Sequence, residues 1–275
     1  MPVKRIAVFT IIQNEDFFLN IWINYYKQFF PNEDIYILNH DSTTETSVKI
    51  LEEAKKQGIN IIPVHRDLSF DHAWLRTTVE AFQRYLLQSY DCTIFVEVDE
   101  ILIPNPDIHK QGLKQYVIDK FADPALETIR CAGFNVEHDI TIESDIDLSK
   151  PILGQRSKWR RTFLYDKPLI SKVPCRWING FHDLATLPKP FPMALLISLD
   201  LILVHLHKMD YALCKNKHSE QAKRNWSKYD VETLQGDHNR IFDGEKFDSW
   251  FFGGNKFQKT DNHLVNIPEA FKGAV

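Results

Sequence analysis

The chain has 275 residues, 44% hydrophobic and 25% charged, which is enough apolar content to bury a core and excludes a disordered protein. A formal net charge of -4, without a basic domain, argues against nucleic acid as a partner. The four cysteines, Cys92, Cys131, Cys175 and Cys214, lie far apart and form no C-x-x-C pair, so neither a zinc site nor a dense disulfide framework is expected, and a reducing cytoplasm fits best.

From Met1 to Thr10 a charged pair runs straight into a strand-like stretch, without the apolar core and cleavage site of a signal peptide. Ile6 to Ile12 reads as a buried strand. Asn14 to Phe30 reads as a helix, because Phe17/Phe18, Ile21/Trp22, Tyr25/Tyr26 and Phe29/Phe30 recur about every four residues, and Pro31 ends it. Asp34 to Leu38 predicts a second strand, and the polar turn Asn39 to Thr44 can cap a helix over Glu45 to Gln57 that Gly58 stops. Ile59 to Val64, Ala73 to Ser89 and Thr93 to Val98 predict a third strand, a third helix and a fourth strand. Such alternation implies a parallel sheet covered on both faces, with ligands bound beyond the carboxyl ends of its strands. Gln13, Asn14, Glu15, Asp41, Glu97 and Asp99 all fall at those ends and are expected to share one crevice.

After Pro104-Asn105-Pro106 the pattern changes to one helix, Leu113 to Phe121, and short strands rich in Trp, Arg and Pro. Residues 1–110 and 111–275 are therefore read as two halves of one compact unit. Met193 to Leu206 is the longest apolar stretch, but Asp200 interrupts it and it falls short of the about 20 residues a membrane helix needs. It reads as strands, which leaves peripheral membrane contact open and predicts no transmembrane segment.

Glu97-Val98-Asp99-Glu100 places carboxylates where a buried strand emerges, and alternation points Glu97 and Asp99 to one side. Carboxylates that close repel unless a cation neutralises them, and a hard divalent ion shared with a diphosphate does so. The alternative is that they cap the next turn or pair with surface lysines. His205 and His207 face one way on a strand, and Lys208, Lys215 and Lys217 add a cationic rim suited to phosphate. Lys158, Arg160 and Arg161 beside Trp159 read as a solvated strand face or a phosphate contact. No H-E-x-x-H spacing occurs, so a zinc hydrolase is disfavoured.

Phe9 to Leu19 resembles the opening strand and "kNE…L" turn of the family-two-like glycosyltransferases of the GT-A class, and Phe95 to Pro104 resembles their "D-x-D-E-F" metal segment, with Glu97 in place of the first aspartate. The resemblance is firm over residues 6 to 106 and looser beyond. It implies a GT-A-like α/β fold: a Rossmann-type, mostly parallel sheet covered by helices, a nucleotide-sugar-binding first half and a smaller β-rich acceptor lobe. It also implies that Asp99, with Glu97, binds Mn2+ or Mg2+, that Asp41 contacts base or ribose, and that Arg76 contacts base or diphosphate. Leu203 to Asp210 resembles a late segment whose histidine, here His205, completes the metal site. Lys167 to Asp183 resembles a lysine-and-proline hairpin that leads to a histidine beside the donor, here His182, with Trp159 and Trp177 available to stack on sugar, although core packing is the expected fate of at least one of them. For the base, Asp183 comes first, then Glu137, Asp139 and Glu100.

The implied reaction is metal-dependent, inverting transfer from a nucleotide-sugar donor, a UDP-sugar by preference, to a glycan or lipid-linked acceptor. Two rivals remain. A nucleotidyltransferase normally carries a Gly-rich loop where this chain has Ile11 to Glu15, and a non-enzymatic carbohydrate-binding protein could keep the same fold.

Overall fold

The computed structural model describes residues 3–66, 69–185, 197–253 and 263–275. Strand β1 (Ile6–Ile12) lies between β2 (Ile35–Asn39) and β4 (Cys92–Phe95), with β3 (Asn60–Pro63) beyond β2, and all of these pairings are parallel. β1 and β4 are apolar on both faces because helices pack on the sheet, as parallel sheets require. Those helices are α1 (Phe18–Tyr26), α2 (Glu45–Lys56) and α3 (His72–Leu86).

Helix α1 begins at Phe18, later than its periodicity predicts, because Asn14 takes a left-handed backbone (φ 54) and turns the chain. Asn tolerates that region better than most residues. The turn aims Asp16 at the next helix, where its Oδ1 accepts from Ser47 N (3.0 Å) and Ser47 Oγ (2.6 Å). Thus α2 is capped from the β1 loop and not by its own Thr44. Gly58, at φ 92, ends the excursion as expected.

The second half adds to the same sheet. β8 (Pro168–Ser171) pairs antiparallel with β4 and with β6 (Thr128–Glu137). β7 (Lys158–Arg161) continues along β6 and carries β10 (Leu264–Asn266). β9 (Ile197–His205) joins β6 in parallel and β5 (Glu100–Pro104) in antiparallel fashion. The sheet is thus parallel through the first four strands and mixed beyond them. Met193 to Leu196, read from sequence as strand, lie outside the described residues.

Helix α4 (Gly112–Lys120) packs on β5, and α5 (Tyr211–Ala222), α6 (Lys228–Glu232) and α7 (Gly244–Gly253) follow β9. No described helix is long and apolar enough to cross a membrane. All four cysteines are free and buried.

The main core includes the fully buried Trp22, Tyr26, Tyr116 and Trp177. Fully burying one large apolar side chain stabilises by roughly 1.5–3 kcal/mol. On α1, the Tyr25 hydroxyl donates to Leu102 O (2.7 Å) and the Tyr26 hydroxyl accepts from Leu102 N (3.1 Å). Helix α1 therefore holds β5, and with it the acidic segment just before β5. Cys214, Phe247 and Phe251 make a separate small core under α5 and α7.

Candidate active site

The acidic segment is a turn and not the end of a strand. β4 stops at Phe95, and Glu100 N donates to Glu97 O (2.9 Å), so Val96 to Asp99 reverse the chain into β5. The expected alternation of Glu97 and Asp99 on one strand face therefore does not apply. Their convergence comes instead from the turn and from β9, whose His205 is the register partner of Glu100 while Leu206 N donates to Asp99 O (2.8 Å).

Two ammonium groups are threaded through this turn. Lys167, fully buried just before β8, lies 2.6 Å from Glu97 Oε2 and 2.5 Å from Glu100 Oε1. Burial opposes its charge, but Glu100 and Glu97 outweigh burial and keep it protonated. Lys217 of α5 lies 3.1 Å from Asp99 Oδ2 and 3.3 Å from Glu15 Oε1. Burial alone would raise the Asp99 carboxyl, yet Lys217, with His207 donating from Nδ1, holds it well below the usual range.

His205 Nδ1 stands 2.7 Å from Asn135 Oδ1, an acceptor, so its proton sits there and the Nε2 lone pair faces Asp99 Oδ2 at 3.8 Å. Tyr165 stacks on the same ring at 4.2 Å and fixes its plane. Four carboxylates (Glu15, Glu97, Asp99, Glu100) thus face two ammonium groups, with the Arg224 guanidinium beside Glu15, which leaves negative charge in excess. Burial raises Glu15 and pushes Glu100 up to about 7, as expected where negative charge exceeds its compensation. A carboxylate and an imidazole lone pair, with negative charge in excess, suit a divalent cation of the Mn2+ type.

Of the other expected site residues, Gln13 contributes its carbonyl, which accepts from Arg224 Nη2 (3.1 Å). Asn14 Oδ1 accepts from Thr43 N and Thr44 N, and Asp41, left-handed at φ 49, pairs with exposed His65. Arg76 turns to Trp177 O and to Glu80 of its own helix. His182 donates from Nδ1 to Leu164 O (2.6 Å), and burial lowers its pKa to about 4.

Several expectations need correction. Trp159 and Trp177 are buried, Trp159 against Phe134 and Phe271 and Trp177 against Phe95, so neither offers an indole face to a sugar. Lys208 is buried too and donates to Trp250 O and Phe251 O, while Lys215 extends toward the Tyr211 hydroxyl; neither contributes to a phosphate rim. Glu100 is enclosed with Lys167 and cannot reach an acceptor hydroxyl. Glu137 is spent on Arg160 (3.1 Å), Asp183 on Arg130 (2.6 Å), and Asp139 on Thr141.

Lys167, Asn135 and Tyr165 were not among the expected site residues. Lys167 is marked in sequence only by the following proline, and Asn135 and Tyr165 by nothing local. Lys217 and His218 are separated from the acidic turn by more than a hundred residues, and only the helical spacing of Cys214 and His218 hints at a shared face.

The parallel α/β half thus ends in an acidic turn, closed by a histidine-bearing strand from the second half. No protein-family model matches the chain, and no curated protein matches it. Among solved structures it is similar to S. aureus TarS 1-349 in complex with UDP, at 10% identity and a TM-score of 0.36, over 90% of this chain and 71% of that one. It is also similar to glucosyl-3-phosphoglycerate synthase from Mycobacterium tuberculosis in complex with Mn2+, UDP and glucosyl-3-phosphoglycerate, at 16% identity and a TM-score of 0.30, over 47% of this chain and 44% of that one. A glucose-1-phosphate thymidylyltransferase from Bacillus anthracis matches at 11% identity and a TM-score of 0.32, over 53% of this chain and 61% of that one. The chain thus spans less than two thirds of the last two. At such identities and TM-scores the functional reading rests on this chain's own side chains.

Proposed function

We propose that the chain is a metal-dependent glycosyltransferase that moves a sugar, with inversion, from a UDP-sugar to a hydroxyl of a glycan or lipid-linked acceptor. The observation that carries this reading is the acidic turn joined to His205, with negative charge in excess, at the carboxyl ends of parallel strands. Asp99 and His205 would hold Mn2+ or Mg2+. Bound there, the ion would offset the charge on the departing diphosphate.

The chain's own residues do the rest. Lys217 draws Glu15 and Asp99 together, and Lys167 keeps the turn closed through Glu97 and Glu100. Glu97, whose side chain is 38% exposed where that of Asp99 is 10% exposed, is the carboxylate of this cluster most open to solvent. We assign it the proton of the acceptor hydroxyl. Asp41 and Arg76 are assigned to the nucleoside side of the crevice and His182 to the sugar side.

The test is calorimetry of UDP binding with Mn2+ and with chelator. Binding at least tenfold tighter with Mn2+ is expected, and equal affinity in both would rule out a metal-bridged diphosphate. Slow Mn2+-dependent release of free sugar from a UDP-sugar then separates a transferase from a binding protein of the same fold.

A further inference from the structure

Beyond β9 a second set of ligating atoms converges. His207 Nε2 and His218 Nε2 stand 2.7 Å apart, Cys214 Sγ joins them, and the three ligating atoms lie within 4.8 Å of one another. All three residues are buried. Cys214 and His218 are four apart on α5 and so share one helix face, while His207 enters from the end of β9.

The outer nitrogens settle the tautomers. His207 Nδ1 lies 3.2 Å from the Asp99 carboxylate and His218 Nδ1 lies 2.8 Å from Ile241 O. Both partners can only accept, so each Nδ1 carries its proton and each Nε2 presents a lone pair to the other. Two lone pairs at hydrogen-bonding distance need something positive between them. A proton there would leave a charged imidazolium among buried groups, which burial disfavours. A metal ion needs no such charge on a ring. Histidines that donate their outer N–H to a carboxylate or a backbone carbonyl are oriented as metal ligands commonly are.

We propose that His207, Cys214 and His218 bind one zinc ion, at a site distinct from that of Asp99 and His205. A thiolate with two imidazoles favours Zn2+ or Co2+ over Mn2+ and Mg2+. On binding, the S–H bond breaks, its proton leaves to solvent and a metal–sulfur bond forms, with no change in oxidation state. Zinc–nitrogen bonds of about 2.0–2.1 Å spread the two rings by roughly half an ångström and leave a fourth position for water. The spacing H-x6-C-x3-H contains no C-x-x-C pair, which is why cysteine spacing alone gives no sign of it. The ion would tie β9 to α5 and, through Ile241, to the small core of Cys214, Phe247 and Phe251, which is too limited to hold that segment by burial alone.

The test is Co2+ titration of untagged, metal-stripped protein, read as the near-ultraviolet thiolate-to-cobalt charge-transfer band. Wild type should take up one Co2+ with that band; Cys214→Ser should lose it, and His205→Ala and Cys92→Ser should keep it. Absence of the band in wild type, or its survival in Cys214→Ser, overturns the site. As a second measurement, Zn2+ added to metal-stripped protein should raise the Tm of wild type more than that of folded Cys214→Ser; an equal shift in both overturns it as well. None of these readouts involves UDP or Mn2+, so the outcome is independent of the transferase reading.

Discussion

At the scale of single residues, His205 shows how one imidazole is committed to a task. Asn135 takes its Nδ1 proton, Tyr165 fixes its plane, and Nε2 is left facing Asp99. Asn135→Ala removes the partner that sets the tautomer, and losses of this kind lower metal affinity about 10–100-fold. In a Mn2+ titration of activity, Asn135→Ala should shift the half-saturating concentration within that range and His205→Ala at least as far. His207→Ala should shift it less, because its Nδ1 proton is given to Asp99 and its Nε2 faces His218, so neither nitrogen offers a lone pair to an ion held by Asp99 and His205. Wild-type titration by His205→Ala would mark the histidine as structural. The residue types at Asp99 and His205 made both visible in the sequence, since acids or histidines at a strand end are uncommon. Lys217 was read as part of a phosphate rim and Lys167 as the start of a hairpin, because the carboxylate partners of a lysine are not in view in the sequence.

At the scale of elements, the close approach of β6 to the segment before β8 positions half of the site. Gly133 allows it: a Cβ there would overlap the backbone of Tyr165, while Gly133 N donates to Asp166 Oδ1 (2.9 Å) and Gly133 O accepts from Thr162 N (3.0 Å). Gly133→Ala must push away the very segment that carries Tyr165 to His205 and Lys167 to Glu97 and Glu100. Overpacking of this kind costs about 1–3 kcal/mol, so a lower denaturation midpoint is expected together with weakened Mn2+ dependence. A stable Gly133→Ala protein with unchanged metal titration would show that the two segments can separate without cost. The periodic elements of the first half lie within a few residues of their expected bounds, since apolar period is a local property. The acidic turn broke its expected strand because pairing with β9, a distant segment, starts β5 at Glu100.

At the scale of the whole molecule, Asp200 of β9 fastens the second half to the region around α4. It accepts from His109 Nε2 (2.8 Å), Lys120 Nζ (3.1 Å) and the Tyr116 hydroxyl (3.0 Å). Burial works against this carboxylate, but those three donors outweigh it and hold its pKa below the usual value. A depressed acid contributes stability above its unfolded pKa and loses it as pH falls through the folded one. Asp200→Asn should therefore cost about 1 kcal/mol near pH 7, a modest figure because the group is partly solvated, and nothing once the wild-type carboxyl is protonated. Thermal melts of both proteins at neutral and strongly acidic pH check this; a gap that persists in acid would mean the loss is steric.

The sequence by itself determined the alternating β/α half and the acids and histidine that gather beyond its strand ends, because apolar periodicity and residue chemistry are written locally. Only the tertiary structure decided which cations meet those acids, which tryptophans are core and which imidazoles face each other. Each of those depends on segments brought together across β4, β6, β8 and β9, and no local pattern encodes a pairing between residues so far apart in the chain.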